Sequence, residues 1–128
     1  MKKALTICLA MVIGICLSTG AMAADEGIIK GNVDGIVAGV DGGKAPLDYK
    51  PGDYAPYVFI MEKGGTMVVH PTKQGQSLNT DKFKPVYDAL VQSTPEGIWV
   101  EYKWAGADKK TYVRTTTGGL IVGSGYTK

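Results

Sequence analysis

Residues 57–71 read YVFIMEKGGTMVVHP. Tyr57 to Met61 is a five-residue run of aromatic, β-branched and long apolar side chains, closed by the Gly64-Gly65 pair. A run this short and this rich in such residues is expected to be a strand rather than a helix. Thr66 to His70 returns as a second strand, so the two form a hairpin about the glycine pair. Pro71 has no amide proton to give to a ladder and stops that strand.

Working downstream, Phe83, Val86, Tyr87, Leu90 and Val91 fall at i, i+3, i+4, i+7 and i+8, which predicts a helix over about residues 81–93. Thr80 or Asp81 can cap it, and Pro85 is tolerable only in its first turn. Three more strands are expected at residues 98–104, 109–117 and 120–126, joined through Ala105-Gly106-Ala107-Asp108 and through Gly118-Gly119. Upstream, residues 41–56 are rich in Gly, Pro and Asp and read as a loop. Before them, Gly27, Gly31, Gly35 and Gly39 recur every four residues among Ile28, Ile29, Val33, Ile36, Val37 and Val40. That spacing fits a helix whose glycine stripe marks a close approach to the sheet, or else a leader without regular structure. The order helix, two strands, helix, three strands defines an α+β domain with a five-stranded antiparallel sheet, an N-terminal helix and one inter-strand helix.

The N-terminus has its own logic. Lys2 and Lys3 precede an apolar or small stretch from Ala4 to Ser18, and Ala21-Met22-Ala23 has the small-x-small form of a cleavage site. Residues 1–23 are expected to be a secretory signal peptide, leaving a single domain over 24–128 in the periplasm. Cys8 and Cys16 lie inside the signal, and neither follows the small residue that lipoprotein processing needs. Removing 23 of 128 residues leaves 105, with no cysteine, and the 12 remaining basic residues balance the 12 acidic ones. A neutral domain without a second apolar run carries no electrostatic footprint for nucleic acid and has no membrane span after cleavage.

Strand alternation sorts the polar side chains. Ile98, Val100, Tyr102 and Trp104 share one face of the third strand. In the fourth, Lys110, Tyr112 and Arg114 share a face, and Arg114 is the sole arginine of the chain. This stripe reads either as half of an anion-binding wall, since guanidinium matches carboxylate in a planar fork, or as an ordinary solvated strand face. Tyr102 and Trp104 read equally as core. His70, the sole histidine, reads as a packed strand-end residue or as a ligand group. For catalysis the pattern offers little: Ser77, Ser93 and Ser124 lack a nucleophile-elbow context, and Asp81, Asp88, Glu96 and Glu101 are scattered. No phosphate-cradling loop and no converging metal-ligand set is legible, so neither an enzymatic role nor a cofactor is expected.

Taken in order, Phe59-Ile60-Met61 with Gly64-Gly65-Thr66, Val68-Val69-His70-Pro71, Tyr102-Lys103-Trp104, Lys110-Thr111-Tyr112-Val113 and Val122-Gly123-Ser124-Gly125-Tyr126 resemble the single Cache domain. This is the PAS-like extracytoplasmic sensor module of bacterial chemoreceptors and histidine kinases. The resemblance spans about residues 57–126. It implies a PAS-like central antiparallel sheet, a helix before it, and a small-molecule pocket on the sheet face, with small organic acids as frequent ligands. Carried onto this chain, it places the ligand against His70, Tyr102, Trp104, Lys110, Tyr112 and Arg114, with Tyr57, Phe59 and Met61 as neighbours. Two features depart from the family: the glycine-rich N-terminal segment, and the lack of a membrane segment or signalling domain after Lys128. They suggest the freestanding secreted form. The expected function is a periplasmic small-carboxylate binding or sensory module in signal transduction such as chemotaxis. It would act through a membrane receptor or another periplasmic protein. The alternative is a structural or protein-interaction domain with no small-molecule ligand.

Overall fold

A computed structural model describes residues 25–128; the expected signal peptide lies outside the described residues. The chain opens on helix α1 (Glu26–Asp41), capped by the Asp25 carboxylate, which accepts from the amides of Gly27 (2.9 Å) and Ile28 (3.2 Å). Ile29, Val33, Ile36 and Val37 form its buried stripe and lie on the sheet. The helical reading of this segment is therefore the right one, but the glycines do not mediate the approach to the sheet. A side chain at Gly31 or Gly35 would meet open space, while one at Gly39 would meet the Tyr49 hydroxyl of the following loop. The branched stripe, not the glycine stripe, is what the sheet attracts, because it alone offers apolar area to bury.

Two 3₁₀ turns, Pro46–Asp48 and Pro51–Asp53, fill the expected loop. Five strands follow: β1 (Val58–Met61), β2 (Met67–Val69), β3 (Ile98–Trp104), β4 (Ala107–Thr115) and β5 (Ile121–Thr127), with helix α2 (Lys84–Leu90) between β2 and β3. All neighbouring strands are antiparallel, in the order β2-β1-β5-β4-β3. The five-stranded α+β arrangement expected from the sequence is thus present.

The unbroken apolar run of β1 is explained by its place. It is an interior strand covered on both sides, with Val58 and Ile60 against α1 and Phe59 and Met61 against α2. Gly123 of β5 sits opposite Phe59, where a Cβ would collide with the phenyl ring. Helix α2 begins later than expected because Pro85, with no amide proton, fits only the first turn. The β3–β4 connection is the two residues Ala105 and Gly106, both at positive φ (52° and 83°), as a tight hairpin turn requires. It is shorter than the four-residue loop expected. None of the helices among the described residues is long and apolar enough to cross a membrane.

Candidate functional site

The sheet has two covered faces, and the register divides the six expected ligand residues between them. Directly paired residues of antiparallel strands share a face. Tyr102 pairs with Lys109 and Val100 with Thr111, whereas Glu101 pairs with Lys110 and Trp99 with Tyr112. Tyr102 and Trp104 therefore lie on the α2 face, with Lys109 as their cationic neighbour. Lys110, Tyr112 and Arg114 lie on the α1 face, so the six cannot form one wall.

On the α1 face the expected anion stripe is already engaged. Arg114 Nη1 is 3.0 Å from Asp34 Oδ1 of α1, and its Nε donates to the Pro95 carbonyl at 2.6 Å. The Tyr112 hydroxyl lies within reach of Asp34 (3.3 Å) and the Glu96 carbonyl (3.2 Å). Lys110 pairs with Glu26 at 3.0 Å, and the Tyr126 hydroxyl donates to the same carboxylate at 2.6 Å. Partial burial alone would raise the Asp34 pKa, but the hydrogen bonds from Lys30 and Arg114 outweigh it and hold the carboxyl below its ordinary value. The anions that meet this wall are the helix's own. Neither an open anion wall nor a simple solvated face describes it: the stripe docks α1.

Arg114→Ala is accordingly expected to lower stability by about 1–2 kcal/mol, a charge-assisted contact discounted for partial exposure. At roughly 4–8 °C per kcal/mol the melting point should fall visibly, with ligand affinity unchanged. Urea unfolding beside a calorimetric titration checks this. Arg114 also borders a cavity of about 500 Å³ together with Asp41, Lys63 and Thr115, and lost affinity at unchanged stability would place the ligand there.

The α2 face holds the other three expected residues. His70, at the end of β2, is 6% exposed. Its Nδ1 accepts from the amides of Thr72 (3.1 Å) and Lys73 (3.0 Å), so the ring proton of the neutral form sits on Nε2. Pro71 ends the strand and turns the chain so that these amides point back at the ring. Burial, followed by the nearby ammoniums of Lys109 and Lys73, holds the His70 pKa down to about 4. The ring lies 5.3 Å from Tyr57 and 6.2 Å from Trp104, centroid to centroid. Tyr102 shares a hydrogen bond with Thr111 (2.9 Å), and burial raises its pKa, so it stays a neutral phenol. Phe59 and Met61 lie in the same core, as the neighbours expected on the first strand.

Lys109 is the residue that sequence reasoning missed. It is 8% exposed, donates to the Tyr57 hydroxyl at 2.9 Å, and lies 4.7 Å from the Tyr57 ring and 5.8 Å from that of Trp104. Among the described residues it forms no ion pair, and no Asp or Glu precedes Asp25 in the chain. The signal was available. Any even-numbered hairpin loop after Trp104, of two residues or four, places Lys109, Thr111 and Val113 beside Tyr102.

Two adjoining cavities open on this face. The inner one, about 10 Å³, is enclosed by Tyr57, His70, Tyr102 and Trp104 with Phe59 and Leu90 behind them. The outer one, about 430 Å³, is lined by Lys73, Lys82, Phe83, Val86, Lys103 and Trp104. Trp104 and Val86 belong to both. No group of His, Cys, Asp and Glu among the described residues could hold a metal ion. Comparison of the chain with family models, with curated proteins and with solved structures gives no match.

Proposed function

We propose that this protein is a small-ligand binding module of the sensory kind, similar to a freestanding single Cache domain with a PAS-like sheet. It takes a small organic acid on the α2 face. In this reading the chain is exported to the periplasm, performs no catalysis itself, and passes its ligand state to a receptor or another periplasmic protein. The observation that carries the reading is Lys109, a buried lysine without a carboxylate partner among the described residues. An unpaired buried cation is costly and marks a place where an anion is to arrive. Lys109 is near enough to His70 to act on its charge, His70 lines the inner cavity, and Lys73, itself without an ion pair among the described residues, lines the outer one.

Small carboxylates are expected to raise the melting temperature, while amines and sugars leave it unchanged. At about a hundred times its dissociation constant a ligand specific for the folded state adds roughly 2.7 kcal/mol, a shift easily seen by differential scanning fluorimetry. The size of the inner cavity favours the second reading, an interaction domain with no small ligand, because about 10 Å³ is room for a single water at most. A broad acid panel that leaves the melting curve unmoved selects that reading.

A further inference from the structure

The two cavities differ too much in size to serve one short aliphatic acid. The inner one admits no more than a water, whereas the outer one, at about 430 Å³, falls in the range of ligand sites. Its chemistry is specific. Phe83, just before α2, stacks on Trp104 of β3 with centroids 5.7 Å apart and planes inclined by 26°. Lys73 Nζ stands 4.9 Å from the Phe83 ring and 5.7 Å from that of Trp104, and Lys82 Nζ is 5.3 Å from Phe83. Among the described residues neither ammonium has an ion-pair partner, whereas Lys103 on the same rim is neutralised by Asp108 at 2.6 Å. The cavity is thus floored by a stacked pair of aromatic rings and edged by two ammoniums that meet ring faces but no carboxylate among the described residues. Ring against ring and ammonium against carboxylate are both satisfied by one kind of molecule.

We infer that the ligand of this site is an aromatic acid, its ring laid against Phe83 and Trp104 in the outer cavity and its carboxylate turned toward Lys73. The inference rests on the acid-binding role proposed above and narrows its ligand class. A short aliphatic acid would leave the aromatic floor wet. A neutral aromatic would leave Lys73 and Lys82 without a counter-charge. Both halves of the ligand are needed to use what the cavity presents.

The test uses benzoate, phenylacetate, cyclohexanecarboxylate, acetate and benzyl alcohol, titrated against the processed protein carrying Trp99→Phe. Trp99 lies on the α1 face, so the remaining tryptophan emission reports Trp104 alone. Benzoate or phenylacetate is expected to quench that emission and to bind at least tenfold more tightly than cyclohexanecarboxylate or acetate. Phe83→Leu should remove most of that preference, and Lys73→Gln should weaken every acid by about tenfold. If all acids bind alike, the aromatic assignment is overturned while the acid-binding role stands. If benzyl alcohol matches benzoate, the charged half is wrong and the acid-binding role falls with it. If no acid binds, by fluorescence or by calorimetry, both readings fall together.

Discussion

Lys109→Met is expected to weaken carboxylate binding by about 2–5 kcal/mol, because it removes a charge that meets its partner away from bulk water. At 1.4 kcal/mol per factor of ten, that is a loss between about thirtyfold and a few thousandfold. Stability without ligand should hold or rise. The substitution removes a buried ammonium that no carboxylate compensates, and an apolar chain of similar length fills the same space beside Tyr57 and Trp104. The informative control is the adjacent residue. Lys110→Met changes the net charge equally but acts on the α1 face, where Lys110 pairs with Glu26. It should leave affinity alone and alter stability slightly, since that pair is partly exposed and screened by solvent. Calorimetric titration of both variants decides the matter. Equal losses would mean a long-range charge effect, and no loss in Lys109→Met would remove the anion from this face.

The second large effect is a loss of stability in mild acid. His70 stays neutral in the folded protein down to about pH 4, while the unfolded chain protonates it near 6.5. Between those values the unfolded state binds more protons, so stability rises with pH across the window and is lost as pH falls from about 6.5 through about 4. At 1.36 kcal/mol per unit the loss is on the order of 3 kcal/mol. Urea unfolding from pH 7.5 to 4 measures it. His70→Asn should flatten this slope, because an amide oxygen can still accept from Thr72 and Lys73 but does not titrate. Asp34, Glu26 and Asp108, all held below their ordinary values, lose their contributions at lower pH and do so in both proteins. The same histidine links stability to ligand. The groups around it are Lys109, Lys73, Tyr57 and Trp104, which supply two cations and no anion. A carboxylate arriving there would raise the His70 pKa, so binding should tighten toward pH 5 and take up a proton. Titrations in buffers of different ionisation heat would show that uptake. A pH-independent affinity with no proton uptake would place the anion away from His70.

Much of the fold was legible because its signals are local. The run at residues 57–61, the Gly64-Gly65 turn, the α2 stripe and the alternation of the last three strands each depend on neighbours within a few positions, and each element lies within a few residues of its expected bounds. Alternation likewise showed that Lys110, Tyr112 and Arg114 share one side, as they do. The candidate site was half legible. His70, Tyr102 and Trp104 do meet, and their neighbours Phe59 and Met61 were foreseen with them.

What the chain determines by itself, then, is the set of strands, the side of each strand on which a residue stands, and a turn within Ala105-Gly106-Ala107-Asp108, which the structure closes in two residues rather than the four expected. Only the tertiary structure decides what covers each side. Helix α1 brings Asp34 to Arg114 across eighty positions of sequence. A local pattern cannot anticipate that contact, because strand alternation has no term for a distant carboxylate. The physical reason is that burial and charge compensation are properties of the packed assembly. The same docking that neutralises Lys110 and Arg114 on one face leaves Lys109, one residue away, buried and unpaired on the other.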